Sequence, residues 1–215
     1  GGVFTITASE NLTSCVSHQM QASCPQCSKQ PYSKIIADIN TAISDGVKKG
    51  SSDAKVIVWD WGWNDAEAKN IIERLPKSCW FMSVSEWSLP IERGGIKSQV
   101  GEYSISSVGP GPRAERHWGY AREAGLRTVA KVQVNCTWEM AILPSLPVMD
   151  LVAQHAENLK KESINGVMLS WSLGGYPSKN LEIFQSIQPG KKDETLDLYA
   201  NLYYGEHAAP FVRKA

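Results

Sequence analysis

Short apolar runs alternate with longer amphipathic segments along most of the chain. Each run is rich in Val, Ile, Phe or Trp and ends at a turn or cap signal, which is typical of strands that are buried on both faces of a sheet. Such runs occupy residues 3–9, 54–61, 79–85, 128–135 and 166–173. The pattern therefore predicts five buried strands.

The segments between these runs have the apolar spacing of amphipathic helices. Helices are predicted over 32–49, 65–75, 113–125 and 146–162, with helix and loop after the fifth strand. Alternation of strand and helix builds a parallel sheet with covering helices. The sequence therefore predicts an α/β fold that extends as one domain over residues 1–215.

One segment departs from this alternation. Residues 91–112 contain a Gly pair, alternating residue types and a closing Gly-Pro sequence. Gly-rich turns between short alternating segments indicate a β-hairpin. We expect a hairpin or meander inserted after the third strand.

Two architectures accommodate five parallel strands: an open doubly wound sheet and part of a (β/α)₈ barrel. A dinucleotide-binding sheet would carry G-x-G-x-x-G after its first strand, and the sequence has no such motif. Polar and aromatic residues instead follow every strand, as in "SEN", "DWGWND", "SEW", "NCTWE" and "WSLGGY". In a barrel the loops after all strands converge on one face, which carries the active site. The pattern favours barrel-type units.

A carboxylate follows each of the first four predicted strands, namely Glu10, Asp60, Glu86 and Glu139. Taken alone, each is a solvated loop acid or a helix N-cap. Four acids at the same end of parallel strands would instead meet in one bowl, where mutual repulsion and desolvation raise pKa values. The set predicts an acidic site.

Six of the eight tryptophans lie next to the same positions. They are Trp59, Trp61, Trp63, Trp87, Trp138 and Trp171. Core packing accounts for those that point inward, and the others would offer flat apolar faces to the C–H faces of sugars. An oligosaccharide or glycoconjugate is the ligand that this combination predicts.

Over residues 3–176 the chain resembles bacterial (β/α)₈-barrel glycoside hydrolases. The resemblance lies in four strand-end motifs: "FTITASEN", "VIVWDWGW", "VQVNCTWE" and "GVMLSWSLGGYPS". If the last segment is the eighth strand, the five strands resemble strands 4–8 of a TIM barrel. In the large retaining clan of that family, an acid/base Glu follows strand four, a nucleophilic Glu follows strand seven and a Trp ends strand eight. The resemblance implies these roles for Glu10, Glu139 and Trp171.

A hexosaminidase-like barrel is an alternative, in which the N-acetyl group of the substrate replaces the nucleophile. Glu10 would remain the acid, and Asp60 would orient the amide. Neither variant requires a cofactor for catalysis.

The same residues would bind the sugar in both variants: Asn11, Trp61, Trp63, Glu86, Trp87, Asn135, Trp138 and Trp171. A rival from another class is a carbohydrate-binding or structural barrel fragment without turnover.

Residues 15–27 form a second motif, Cys15-x₂-His18-x₅-Cys24-x₂-Cys27. Thiolates and imidazole at such spacings can surround a structural Zn²⁺. A disulfide from Cys15 to Cys24 or Cys27, or reduced thiols, are the alternatives. Cys79 and Cys136 lie in strand-like runs and are predicted to be core thiols.

The remaining histidines are predicted to be surface or core residues rather than catalysts. They are His117 and His155 on predicted helices and His207 in the terminal segment.

Charge and composition restrict the partners. Lys plus Arg equals Asp plus Glu, at 22 each, so no net field favours nucleic acid or an anionic membrane. No apolar stretch approaches the roughly 20 residues that span a bilayer, and the first residues lack the features of a signal peptide. A periplasmic or secreted site remains compatible with a glycosidase whose signal has been removed.

Only two residues precede the first predicted strand, and no strand follows the fifth. A five-stranded part of a barrel would leave unpaired sheet edges and exposed apolar surface. We therefore expect the chain to be a fragment of a longer enzyme that either closes its open edges against another copy or rearranges its sheet.

Overall fold

The computed structural model of the protein describes residues 1–10, 12–135, 143, 146–170 and 177–214, and the side chain of His18 lies outside this description. Within that part of the chain there are seven β-strands and six α-helices. The predicted α/β class is confirmed.

Five of the strands form the main sheet: β1 (Gly2–Ile6), β2 (Lys55–Trp59), β3 (Trp80–Val84), β6 (Arg127–Val132) and β7 (Gly166–Leu169). They coincide with the five predicted runs, but each ends one to four residues earlier. The polar residues at the end of each run belong to the following loop, because they leave the pairing of the sheet.

The strand order of the sheet is β1-β2-β3-β6-β7, so each strand follows the order of the chain. Strands β1 and β2 are parallel, with Gly2 opposite Lys55 and Ile6 opposite Trp59. Strands β2 and β3 are also parallel, with Ile57 opposite Trp80. A doubly wound sheet reverses its order at a switch point. The observed order has no reversal and is compatible with part of a barrel.

The six helices are α1 (Tyr32–Gly50), α2 (Ala68–Arg74), α3 (Pro112–Glu123), α4 (Met149–Lys161), α5 (Lys179–Ser186) and α6 (Lys192–Val212). Four of them match the helices predicted between strands. The helix predicted from residue 65 begins with a turn of 3₁₀ helix, which the Asn64 side chain caps by accepting a hydrogen bond from the amide of Ala66 at 3.1 Å. No helix in the described ranges is long and apolar enough to cross a membrane.

An antiparallel hairpin lies where the insertion was predicted. Its strands are β4 (Pro90–Arg93) and β5 (Ile96–Gln99). Gly94 and Gly95 connect them, and both have positive φ angles, of 57° and 79°. Two consecutive residues with positive φ are typical of the tight turns that join twisted hairpin strands, and glycine takes this conformation without strain.

The chain divides into two compact units. Unit 1 comprises Gly1–Ser83 and Ala114–Ala130, and unit 2 comprises Val84–Arg113 and Lys131–Ala215. Each has its own buried apolar core. In unit 1 this core includes Val56, Trp59, Ile72, Phe81 and Trp118, and in unit 2 it includes Val132, Ala153, Leu159, Ile183 and Ile187.

The first and last strands of the sheet order carry exposed apolar side chains. Val3 and Phe4 of β1 are 42% and 43% exposed, and Val167 of β7 is 45% exposed. These are the strands whose edges were expected to associate. Self-association through them stays a prediction.

Candidate functional site

A cleft of about 940 Å³ opens at the carboxyl ends of β1 and β2 in unit 1. Its walls come from the residues directly after β1, the loop of residues 12–31, the start of α1 and the turn after β2. The lining residues are Ala8, Ser9, Glu10, Val16, Gln19, Gln21, Ala22, Ser28, Tyr32, Gly62, Trp63 and Asn64. The carboxyl ends of parallel strands are the usual place for a ligand site in such sheets.

Glu10 lies in the wall of this cleft. Its side chain is exposed, and Ser9 donates a hydrogen bond from its hydroxyl to the Oε2 atom of the Glu10 carboxylate. The predicted acid therefore reaches a large solvent-accessible space. A carboxylate in this position can contact a molecule that binds in the cleft.

The turn after β2 packs closely against the end of β1. Gly62 has φ +75°, and a Cβ atom at this position would lie 2.4 Å from the carbonyl oxygen of Ala8. Only glycine permits both the backbone angle and the close approach. This contact brings Gly62, Trp63 and Asn64 to the same cleft as Glu10.

Tyr32, at the first turn of α1, is attached to the same turn. The backbone amide of Asn64 donates a hydrogen bond to the Tyr32 hydroxyl over 3.2 Å. Burial raises the pKa of Tyr32, so the phenol stays protonated at neutral pH. Its hydroxyl therefore keeps a proton that it can donate.

Asp60, the second predicted acid, is fully buried. Its Oδ2 atom accepts a hydrogen bond of 2.8 Å from the Ser83 hydroxyl and lies 2.8 Å from Nδ1 of His117, which donates to it. The carbonyl of Asp60 also accepts from the amide of Trp63 at 3.2 Å. In this arrangement the Asp60 carboxylate contacts protein groups and supports the turn that lines the cleft.

His117 connects Asp60 to the surface of unit 1. Its Nε2 atom lies 3.6 Å from Oδ1 of Asp65, and Asp65 forms an ion pair of 2.7 Å with Arg116. His117 itself is fully buried. It is a core residue, one of the two roles that the sequence allowed for it.

The tryptophans after β2 differ in exposure. Trp61 is partly exposed, and its ring centroid lies 5.3 Å from that of Trp59, which is a core residue. Trp63 is only 5% exposed and packs against Phe81 with 6.0 Å between ring centroids. Trp63 therefore contributes an edge to the cleft wall rather than an open platform.

Three further predicted sugar-binding residues lie in unit 2. Glu86 is fully buried, and its Oε1 atom accepts a hydrogen bond of 3.1 Å from the amide of Gln133. Asn135 is also buried, and its carbonyl Oδ1 atom accepts a hydrogen bond from the Ser178 hydroxyl. Trp87 is partly exposed, with the guanidinium of Arg113 4.3 Å from its ring centroid.

Five predicted residues lie outside the described residues, as does the side chain of His18: Asn11, Cys136, Trp138, Glu139 and Trp171. Of the two catalytic glutamates that the family resemblance implies, the structure describes Glu10.

Three cysteines of the loop after β1 form a cluster. The Sγ atoms of Cys15, Cys24 and Cys27 all lie within 4.8 Å of one another, and the three thiols are free and partly exposed. Three sulfurs bound to one tetrahedral Zn²⁺ would lie about 3.8 Å apart, because each Zn–S bond is about 2.3 Å. The cluster can therefore bind a metal ion.

Local hydrogen bonds shift the pKa values of two of these thiols in opposite directions. The amide of Cys27 donates to the Sγ atom of Cys24 over 3.4 Å, and this contact lowers the pKa of Cys24 to about 7. Hydrogen bonds with Cys24 and Cys27 raise the pKa of Cys15 to about 11. A large fraction of Cys24 is therefore thiolate at neutral pH, which is the form that binds metal.

His155 forms a separate buried pair in unit 2. Its Nε2 atom lies 2.7 Å from the hydroxyl oxygen of Ser85, and desolvation lowers the pKa of His155 to about 3. The imidazole is therefore neutral at ordinary pH. It is a core residue, as the sequence allowed, although its partner lies 70 positions away along the chain.

Several cleft residues carried no recognised signal in the sequence. Gln19, Gln21 and Tyr32 line the cleft only because the loop of residues 12–31 folds back against the strand ends. Gly62 and Asn64 offered a clue, since a glycine between two tryptophans and an N-cap directly afterwards indicate a tight turn.

Comparison with known proteins yields no relative: no family model, no curated protein and no solved structure matches this chain. The fold and the cleft therefore define the protein only as a class. It is an α/β protein with a parallel sheet, an exposed carboxylate in a cleft at the strand ends, and a cysteine cluster in the cleft-forming loop.

Proposed function

We propose that the chain belongs to a glycoside hydrolase, which binds an oligosaccharide or glycoconjugate in the cleft of unit 1 and uses Glu10 to protonate the leaving oxygen. One observation carries the proposal. Glu10 follows a parallel strand and lies exposed in the wall of a cleft of about 940 Å³. Small-molecule sites usually have volumes of about 300–1,000 Å³.

The other cleft residues suit a polyol. Amide and hydroxyl groups of Gln19, Ser28, Tyr32 and Asn64 lie in the walls and can exchange hydrogen bonds with sugar hydroxyls. Ala8, Val16 and Trp63 add small apolar surfaces to the same lining, which can contact the C–H faces of a sugar. This mixture supports a carbohydrate ligand over a fully apolar one.

We further propose that β1, β2, β3, β6 and β7 correspond to strands 4–8 of a (β/α)₈ barrel. The unreversed strand order supports this correspondence. Glu10 would then follow strand four, and Glu139 would follow strand seven as the nucleophile of a retaining mechanism. Retaining enzymes hold these two carboxyl groups about 5–5.5 Å apart.

The buried position of Asp60 weighs against the substrate-assisted variant. Its carboxylate already accepts hydrogen bonds from Ser83 and His117, and it is fully shielded from solvent. A substrate amide could reach the Asp60 carboxylate only if the side chains that enclose it moved. In the two-glutamate variant, Glu10 is already exposed in the cleft wall.

A second candidate function is carbohydrate binding without hydrolysis. The exposure of Glu10 favours this alternative, because the general acid of a glycosidase commonly lies in an apolar enclosure. In a binding protein the same carboxylate would accept hydrogen bonds from sugar hydroxyls.

We also propose that Cys15, Cys24 and Cys27 hold a structural Zn²⁺, with His18 as the fourth ligand that the sequence offers. The spacing of the three Sγ atoms supports this assignment. Elemental analysis should find one zinc per chain, and Cys24→Ser should lower that content to near zero.

The function is tested with a panel of chromogenic glycosides, in parallel with calorimetric titration of the corresponding oligosaccharides. We expect Glu10→Gln to lower kcat/KM by about 10²–10⁴-fold, the usual contribution of a general acid. Glu73→Gln, an exposed change on α2 where Glu73 pairs with Lys69, is the matched control and should retain wild-type activity.

The outcomes of this experiment distinguish a glycoside hydrolase from a carbohydrate-binding protein and from a protein that binds no carbohydrate. Hydrolysis that survives Glu10→Gln would contradict the role of Glu10. Oligosaccharide binding without hydrolysis would favour the binding protein. Absence of both binding and hydrolysis across the panel would contradict the carbohydrate proposal.

A further inference from the structure

We infer that a thiophilic metal ion at Cys15, Cys24 and Cys27 fixes the shape of one wall of the cleft and thereby sets the affinity of the cleft for sugar. The effect on sugar rests on the function proposed above. The effect on the wall does not, because it follows from where the cysteines lie in the loop.

The cysteines and the cleft wall share one segment. Five of the twelve cleft-lining residues, Val16, Gln19, Gln21, Ala22 and Ser28, lie between residues 15 and 28. Val16 directly follows Cys15, and Ser28 directly follows Cys27. A change in the positions of the cysteines therefore moves the wall.

The segment has little regular structure of its own. It contains three single turns of 3₁₀ helix, Ser17–Gln19, Gln21–Ser23 and Cys27–Lys29, and the last two contain no buried residue. Short 3₁₀ turns with few buried contacts belong to the least stable parts of a fold. The wall therefore depends on other constraints to hold its shape.

One polar side chain already connects the cleft wall to a cysteine. The Nε2 amide of Gln21 donates hydrogen bonds to the carbonyl of Cys27 at 3.2 Å and to the carbonyl of Gln30 at 2.6 Å. Gln21 also lines the cleft. Fixing Cys27 in a metal site therefore fixes the orientation of a side chain that faces a ligand.

A metal ion bound to all three sulfurs would close the segment from Cys15 to Cys24 and the short turn from Cys24 to Cys27. Metal binding at such sites supplies folding free energy to the surrounding chain. The donor set of three thiolates selects Zn²⁺, and Co²⁺ as its spectroscopic substitute, over Mg²⁺ or Ca²⁺, which prefer oxygen ligands.

Metal binding at the three cysteines and sugar binding in the cleft are coupled, because both involve the same segment of the chain. A sugar that binds an already ordered wall loses less conformational entropy than one that must order the wall itself. The coupling is reciprocal, so a bound sugar must also strengthen metal binding by the same factor. We expect a factor of about 5–150, the usual range for coupled sites.

The metal site is tested first with Co²⁺ alone on the purified full chain. One equivalent should give sulfur-to-cobalt charge-transfer absorption and tetrahedral d–d bands, and Zn²⁺ should displace it. Cys24→Ser should abolish the bands. Cys79→Ala, which removes a buried thiol of unit 1 outside the cluster, is the matched control and should retain them.

The effect on the wall is tested by hydrogen–deuterium exchange with and without Zn²⁺. Zn²⁺ should slow exchange in peptides that cover residues 16–28 by about tenfold or more and leave α4 of unit 2 unchanged. Chelation of the wild type and the Cys24→Ser change should both remove this protection. Failure to bind Co²⁺ or Zn²⁺, or binding without protection of residues 16–28, would overturn the inference.

The third measurement separates this inference from the proposed function. If a glycoside of the panel is hydrolysed, chelation should raise the Kd of the Glu10→Gln variant for that glycoside, measured by calorimetric titration, by about 5–150-fold, and added Zn²⁺ should restore it. An unchanged Kd would overturn the effect on sugar while the hydrolase proposal stands. If no glycoside is hydrolysed or bound, the hydrolase proposal fails, and the exchange experiment still decides whether the metal orders the wall.

Discussion

The ends of β1 and β2 in unit 1 are neighbours in the sheet, yet their acids have opposite environments. Glu10, after β1, is exposed in the wall of a large cleft. Asp60, after β2, is fully buried and bonded to Ser83 and His117. Both follow an apolar strand, so the difference comes from what the rest of the chain places over each strand end.

Two later parts of the chain account for the difference. After β2, helix α3 brings His117 onto the Asp60 carboxylate, although the two residues are 57 positions apart. After β1, the chain continues into the loop of residues 12–31, whose turns surround a cleft instead of covering the acid. A strand-end acid therefore has a structural or a ligand-facing role according to its distant partners.

Replacing each acid by alanine should separate the two roles most strongly. Asp60→Ala leaves the donors on His117 and Ser83 buried without their acceptor. We therefore expect it to lower the free energy of unfolding by about 2–6 kcal/mol, at about 1–3 kcal/mol for each of the two buried donors that loses its acceptor. Glu10→Ala should change it by less than about 0.5 kcal/mol. Urea denaturation followed by circular dichroism measures both, and equal stability of the two variants would contradict the distinction.

The contact that joins the two strand ends is tested at Gly62. Gly62→Ala adds a Cβ atom 2.4 Å from the Ala8 carbonyl oxygen at a positive φ. Backbone strain and overpacking together should cost about 2–4 kcal/mol of unfolding free energy.

Gly125→Ala is the matched control for this prediction. Gly125 has nearly the same φ, +76°, but no described atom lies within 4 Å of the position that a Cβ atom would occupy there. Gly125→Ala should lower the free energy of unfolding by only about 1 kcal/mol, because it adds backbone strain alone. Thermal unfolding of both variants gives the comparison, and equal losses would show that the approach to Ala8 is unimportant.

A second buried histidine, His155 on α4, contacts Ser85 directly after the end of β3 in unit 2. Because burial lowers the pKa of His155 to about 3, the unfolded chain, with a His pKa near 6.5, binds more protons between these values. Stability contributed by neutral His155 is therefore present above about pH 6.5 and is lost as the pH falls. Between pH 7 and pH 5 the loss should be about 2 kcal/mol.

Urea denaturation at several pH values measures this slope. His155→Gln removes the titrating group and should reduce the pH dependence by the same amount, whatever its effect on stability at pH 7. An unchanged slope in His155→Gln would assign the acid sensitivity to other groups.

The strands and most helices could be predicted from the sequence because their signals are local. Continuous apolar runs identified all five strands of the main sheet, and amphipathic spacing identified α1 and α4 within a few residues. The strand ends were placed too late, since apolar content alone does not reveal where hydrogen bonding between neighbouring strands stops.

The candidate site was less accessible to prediction. Glu10 and the cysteine spacing are local features, and the structure brings Cys15, Cys24 and Cys27 together. The burial of Asp60, Glu86 and Asn135 depends on partners from other elements, which one sequence does not reveal. The position of Tyr32 in the cleft likewise depends on how a loop without regular structure folds.

The hairpin turn at Gly94–Gly95 offers a practical advantage for experiments on this protein. Neither glycine has a described atom within 4 Å of the position where a side chain would begin, and β5 is exposed along its whole length. Exposed loop tips of this kind usually accept inserted sequence. A fluorescent label or an affinity peptide inserted between these glycines would report on the protein, or immobilise it, without occupying residues of the cleft or the cysteine cluster.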